Sequence, residues 1–423
     1  MSEQRVTPKF VANKEFAARN LLDRRAFLKG GALATSALAF SQTVADERKP
    51  WMRSPGLGME GHSSRSRFEA DVIRVGNSSQ PGTTGSGGTR TPLDHLQGTI
   101  TPSGLHFERH HSGVPDIDPD QHSLTVHGAV GQPLRFSLEA LDRYPHVTRQ
   151  CFIECSGNSA VQLSPQPVDR SVSVIHGLVS QSEWTGVPVR YLLEEAGINE
   201  DASWVIAEGA DAARLNRSIP LEKMLDDALI ALYQNGERIR PQQGYPMRLL
   251  LPGYEGNTSV KWLHRLQVAN QPALSRQETS KYTDIYTDGR AEVFTFPMQV
   301  KSVITAPSPG HKLQEKGIYE IRGLAWSGEG KISKVEVSAD AGQSWADAIV
   351  DGPILDKSAV RFRLPWRWDG APCHILSRAY DAQGRQPTRD EILRDRGNRF
   401  FYHYNAIQAW AVSADGTLTN AYV

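Results

Sequence analysis

Cysteine is almost missing from this chain: three among 423 residues, at Cys151, Cys155 and Cys373. Three cannot build a disulfide framework. No Cys-x2-Cys pair occurs, which excludes a zinc ribbon, a thioredoxin motif and an iron–sulfur ligand set, and no Cys-x-x-Cys-His occurs to attach a haem covalently. No flavin fingerprint stands between a strand and a helix. An excess of one charge is missing as well, since 47 Lys and Arg balance 47 Asp and Glu. That balance supplies no electrostatic reason to expect nucleic acid or a membrane surface as partner. Long apolar runs are also missing. The best candidate, Gly30–Phe40, falls short of the roughly 20 residues that a membrane span requires. What remains is an ordinary soluble composition, 39% hydrophobic, at a length that permits two or three domains with their own cores.

The N-terminus carries an address. Asp23-Arg24-Arg25-Ala26-Phe27-Leu28-Lys29 and the Ala-rich run after it form a twin-arginine export pattern, with Ala39 or Ala45 as cleavage points. Residues 1–45 are therefore expected to be a signal peptide and the mature protein periplasmic. The route carries folded proteins, which suits one that acquires a complex cofactor before export. Residues 46–95 are crowded with Gly, Ser, Thr and Pro and read as a flexible arm.

The stretch that organises the rest is Val147–Ser159, V-T-R-Q-C-F-I-E-C-S-G-N-S. Thr148–Ile153 mixes apolar and β-branched residues with polar ones, as a short strand does. Ser156-Gly157-Asn158 is turn chemistry. Cys155 thus stands where a strand stops, and a thiolate there faces a cleft more easily than one in mid-strand. Its neighbour Cys151 could pair with it, at the loss of a free thiolate. Upstream, His106, His110 and His111 surround Arg109. Their spacing fits neither a helical His-x3-His pair nor a zincin, whereas the guanidinium offers forked donors to an oxyanion. Downstream, Gln243–Gly256 places Arg248 among glycines and prolines, and Lys261 follows shortly after. A buried phosphate needs such a fork, a point charge and backbone donors near glycines. From Val303 onward short β-rich segments alternate with Gly and Asp turns, which predicts an all-β sandwich.

Together these segments resemble the sulfite oxidase family of molybdopterin oxidoreductases. Glu154-Cys155-Ser156-Gly157-Asn158 is similar to the family's Q-C-A-G-N, in which the cysteine binds molybdenum. Thr101–His111 resembles T-P-x-x-x-F-x-R-N-H, Glu208–Asp211 resembles E-G-x-D, and Gln243–Gly253 with Val260–Leu263 resembles H-G-x-P-x-R-x-x-x-P-G and V-K-W-L. The resemblance implies Mo-molybdopterin with Cys155 as its metal ligand. It implies that Arg109, His110, His111, Asp211, Gln243, Arg248, Ser259, Val260 and Lys261 hold the cofactor. Arg109, Tyr282 and His403 are the implied substrate-side groups, with Tyr286 as the other candidate for the tyrosine. The fold implied is α+β: a mixed α/β molybdopterin domain over residues 96–295, then an immunoglobulin-like dimerisation domain over 296–423.

Departures from the pattern narrow the substrate. Ser159 stands where sulfite oxidases carry an arginine after the motif, and His403 stands where they carry another near the C-terminus. Fewer cations favour a less charged or protein-bound sulfur substrate over a free dianion. The pattern resembles, within the family, the molybdenum subunit of the bacterial Sox thiosulfate-oxidising system. That implies a c-type, dihaem cytochrome as electron acceptor, a sulfur-carrier protein as substrate, and a homodimer within a hetero-oligomer. A plain sulfite:cytochrome c oxidoreductase shares the scaffold. A periplasmic methionine sulfoxide reductase shares the export signal but lacks the sandwich. From another class, a non-enzymic periplasmic binding protein would use the sandwich as an interaction module.

Overall fold

A computed structural model describes residues 49–79 and 84–423; the twin-arginine segment lies outside them. Residues 51–71 run exposed, and two single-turn helices form at Pro50–Met52 and Arg67–Glu69. The stretch 46–95, expected to be an arm, contains two strands, Val75–Ser79 and Gly87–Arg90. Gly87–Arg90 is the central strand of a three-stranded sheet between Val75–Ser79 and Glu108–His110. Its glycine is required by close packing: a Cβ on Gly88 would meet the Glu108 carbonyl oxygen at 2.6 Å. Glycine in this stretch marks a close backbone approach, which composition alone does not separate from looseness.

The first domain is built on two five-stranded sheets. In one, Val147–Glu154 pairs with Val179–Pro188, which pairs with Leu229–Gln234; the last also pairs with Glu237–Arg238 and Arg248–Leu250. The Asn235-Gly236 turn between the first two of these last strands has both φ values positive, as a tight hairpin requires. In the other sheet, Leu263–Ala269 runs parallel to Ser123–Gly128 and antiparallel to Trp204–Gly209. Ser123–Gly128 alternates, burying Leu124 and Val126, so one face is covered. Between the sheets lies a core that includes Leu124, Val187, Ile230, Leu249 and Leu266. Helix Val189–Ala196 adds Leu192 and Leu193 to that core and ends at Gly197, whose φ is 71°, the left-handed stop that glycine provides.

The second domain is the predicted sandwich. One sheet joins Lys301–Ala306, Gly317–Trp326, Val360–Trp368 and Ile349–Asp351; the other joins Ala346–Asp347, Lys334–Ser338, Cys373–Tyr380, Ala409–Val412 and Leu418–Ala421. Phe362, Trp366 and Trp410 fill the space between them, while Trp326 lies on the other face of the first sheet, against Phe152. This core is continuous with Phe152, Ile175 and Val179 of the first domain. The strand leading to Cys155 therefore begins half exposed at Val147 and ends with Cys151–Glu154 fully buried. Its last residues are covered on both faces, one of them by the sandwich. All three cysteines are free thiols. Among the described residues no helix is long and apolar enough to cross a membrane.

Candidate active site

Where Val147–Glu154 ends, the chain turns sharply. The Asn158 amide donates to the Cys155 carbonyl (2.8 Å) and the Cys155 amide to the Leu178 carbonyl (2.9 Å). The thiol then faces a cleft of about 690 Å³, open mouth included. Arg109, His110, His111, Asp211, Gln243, Arg248, Ser259, Val260, Lys261 and Tyr282 all line the same cleft. Residues spread over nearly 175 positions of sequence thus converge on one space. Tyr282 faces it, whereas Tyr286 lies on the hairpin outside and donates to Glu292.

One wall is cationic. The Arg248 guanidinium is buried and donates only to neutral oxygens: the Ser259 carbonyl (2.8 Å), the Gln243 carbonyl and side-chain oxygens (3.2 Å each) and the Leu249 carbonyl (3.5 Å). Burial lowers its pKa to about 9. The Lys261 ammonium donates to His110 Nδ1 (2.7 Å) and to the Arg109 and Gln242 carbonyls. Burial, and then Arg248, push its pKa well down. Since Lys261 occupies Nδ1 of His110, the proton of that ring belongs on Nε2, which meets Glu108 at 2.8 Å. Burial holds His111 down to about 4, so it is neutral at pH 7. Arg109, Arg248 and Lys261 have no carboxylate within ion-pair distance among the described residues. Gln243, which replaces the family histidine, also donates to the Phe107 carbonyl (2.9 Å) and so orients Arg248 from the side.

The other wall is mixed. Asp211 accepts from Ser112, while its Oδ1 is buried without a partner. Burial raises the pKa of the Cys155 thiol; the Gly157 backbone N–H and Arg109 oppose that rise. Tyr282 lies under the Arg217 guanidinium, 4.9 Å from its ring centre, and burial raises its pKa.

His403 is the exception among the expected site residues. It does not line the cleft. Its backbone amide donates to the Ser156 carbonyl (2.7 Å), and its Nε2 accepts from the Gln299 amide (2.9 Å). Burial holds its pKa down to about 4. A neutral ring tied to the backbone outside the cleft is not placed to meet a substrate there. Its geometry braces the Cys155 turn from outside.

Sequence reasoning passed over three groups here. Asn257 lines the cleft and donates to Ser156 (3.1 Å) and Glu255 (2.6 Å). Glu255 is buried, and desolvation raises its pKa to about 7. Arg217, also buried, stands 3.9 Å from Glu255 and 3.7 Å from Glu278. The available signal was polarity out of place, as in Glu255-Gly256-Asn257 soon after the buried strand Arg248–Leu250.

These features fit a pterin that carries phosphate and a metal. Buried cations without counter-ions need an anion, and the orphaned Asp211 Oδ1 needs a donor. No three His, Cys, Asp or Glu side chains among the described residues converge to hold a metal by themselves; a metal at Cys155 would take its remaining donors from the cofactor. Sequence comparison agrees. Residues 111–277 match the oxidoreductase molybdopterin binding domain, and residues 292–369 match the Mo-co oxidoreductase dimerisation domain. The chain belongs to the sulfite oxidase family of molybdopterin oxidoreductases, and its cofactor is Mo-molybdopterin.

Among solved structures it is similar to the sulfane dehydrogenase SoxCD from Paracoccus pantotrophus, with a TM-score of 0.86 and 41% identity over 89% of this chain and 98% of that one. It is 31% identical to human mitochondrial sulfite oxidase over 64% of this chain and 52% of that protein. It is 30% identical to an NADH nitrate reductase of Phaseolus vulgaris over 66% of this chain and 35% of that protein. The chain spans about half the length, or less, of the curated relatives it matches.

Proposed function

We propose that the chain oxidises inorganic sulfur, as sulfane sulfur on a carrier protein or as sulfite, in the periplasm after twin-arginine export. Electrons pass to a c-type, dihaem cytochrome subunit, and the chain works as a homodimer within a hetero-oligomer. The observation that carries this is the similarity to a sulfane dehydrogenase over nearly that chain's whole length.

Molybdenum held by molybdopterin supplies oxygen-atom transfer and stores two electrons per turnover. The chain's own residues do the rest. Cys155 would hold the metal as a thiolate, a soft donor suited to such a centre. Arg248 and Lys261 would neutralise the phosphate end, and His110, aligned by Glu108 and Lys261, would face the pterin with a defined tautomer. Arg109 and Tyr282 would meet the substrate.

Three facts favour a substrate with little charge. Ser159 is buried and bonded to His176 and Lys301, His403 is neutral, and Arg217 stands 3.9 Å from the Glu255 carboxyl and 3.7 Å from that of Glu278. Arg109 is left as the substrate-side cation. Steady-state kinetics with free sulfite and with a thiosulfate-charged carrier protein test the proposal. A kcat/KM higher for the carrier by about tenfold or more supports it. The reverse order would make the enzyme a sulfite:cytochrome c oxidoreductase, the reading that the 31% identity to sulfite oxidase favours.

A further inference from the structure

We infer that Lys301 and Trp326, both on the sandwich, are positioning residues for Cys155: they grip the side chain of Glu154 and so set the aim of the adjoining thiol. Lys301 opens the strand Lys301–Ala306, Trp326 closes the strand Gly317–Trp326, and the two stand directly opposite each other across the sheet. Opposed residues leave a sheet on the same face. Here that face meets the end of Val147–Glu154. Lys301 Nζ donates to Glu154 Oε1 (2.9 Å) and Trp326 Nε1 donates to Glu154 Oε2 (2.7 Å). Each carboxylate oxygen is thus held from the second domain.

The grip extends through the turn. Asn158 Nδ2 donates to Glu154 Oε1 (2.9 Å), and its Oδ1 accepts from the Leu178 amide (3.1 Å). Lys301 also donates to Ser159 Oγ (2.8 Å), which meets His176 Nδ1 at 2.7 Å. Ser159 itself has a φ of 68°, a backbone conformation that costs a residue with a Cβ and persists when its surroundings over-determine it. Cys155 stands between two held points, Glu154 and Asn158–Ser159. Glu154 and Lys301 are each about 1% exposed, so water does not compete for the contact. None of these side chains lines the cleft. The sandwich, in addition to serving as a dimerisation module, is the support on which the metal's protein ligand is aimed.

The inference rests on Cys155 as that ligand. The test compares the metal-loaded parent with Lys301→Met, the double variant Glu154→Gln/Lys301→Met, and Trp326→Phe. Molybdenum per chain, the EPR spectrum of the partly reduced metal, melting temperature, kcat and KM are measured for each. The double variant leaves no charge stranded and should melt close to the parent. Positioning predicts that its spectrum nevertheless shifts and its kcat falls about 10- to 100-fold, the usual cost of losing an outer partner of a metal ligand, with KM little changed. A folded double variant with parental spectrum, metal content and kcat would overturn the inference and leave the pair a stability device. Should the double variant not fold, Trp326→Phe decides. It removes one donor to Glu154 and keeps an aromatic side chain, so a shifted spectrum supports positioning and a parental one overturns it. A failure of the ligand assignment looks different: the parent holds no molybdenum, or Cys155→Ala keeps both metal and spectrum.

Discussion

Two sets of buried charges sit within this chain, and they are built in opposite ways. Lys301 is buried against a carboxylate, and its ammonium, Glu154 and Ser159 satisfy one another. Arg248, buried, and Lys261, partly buried, stand at the cleft and donate only to neutral oxygens and an imidazole. Desolvation disfavours all three cations; Lys301 has a carboxylate at 2.9 Å to offset the cost, whereas Glu108 and Asp211 act on Lys261 only from beyond ion-pair distance and Arg248 has no carboxylate beside it among the described residues. The first arrangement is complete as folded. The second is completed by an anion from outside, and the phosphate of a pterin is the anion that the family supplies. A buried charge that is paired speaks about architecture, and one left unpaired speaks about a ligand.

The comparison can be broken most decisively at Cys155. Cys155→Ala should remove turnover altogether and lower molybdenum per chain while the fold persists, read by metal analysis beside circular dichroism. Retained turnover would remove the reason to link the unpaired cations to a metal cofactor. Next in size is the contrast between the two cation sets. Lys301→Met strands Glu154 and should destabilise the chain by about 3–5 kcal/mol, whether or not the cofactor is present. Arg248→Met should cost the cofactor-free chain little, because relief of guanidinium desolvation offsets its lost hydrogen bonds, yet it should release the pterin from the loaded enzyme. Chemical denaturation of both variants, made with and without pterin synthesis in the host, checks the pattern. Equal losses in the two would mean that Arg248 is structural.

A smaller effect sharpens the comparison from the acidic side. Glu255 is buried close to the metal ligand's turn, and its pKa is raised from 4.5 to about 7. For an acid raised in the folded state, the stabilisation is fully present below about pH 4.5. It declines while the unfolded chain ionises ahead of the folded one, and it is gone above about pH 7. Glu255→Gln stays neutral throughout. The variant should therefore lack that decline, a difference on the order of 3 kcal/mol across the interval, measured by denaturation at pH 5 and pH 7.5. A parallel pH dependence in both proteins would place the Glu255 carboxylate in an ordinary ionised state beside Arg217.

Much of the site was legible because its residues lie in short glycine- and proline-marked runs. Such runs turn the backbone in a defined way, so the order Arg109, Cys155, Arg248, Lys261 could be recognised without the fold. The choice between Tyr282 and Tyr286 was not legible. Four residues separate them, and only packing under Arg217 turns the first toward the cleft. His403 misled because alignment places a residue in order but says nothing of its ring, which here is bonded to Gln299. Ser86–Arg90 misled because glycine serves loops and close strand packing equally well.

By itself the sequence determined the class of chemistry: a lone cysteine at a strand end, no other redox motif, two basic stretches near glycines, and a β-rich tail. Those are local properties, written in the residues that carry them. The tertiary structure alone decided which charges are satisfied and which wait for a ligand. The partners of Glu154, Lys301 at 147 residues' distance and Trp326 at 172, meet it only when the sandwich folds against the first domain. Whether a buried charge has a counter-ion is a property of that packing and of no single segment.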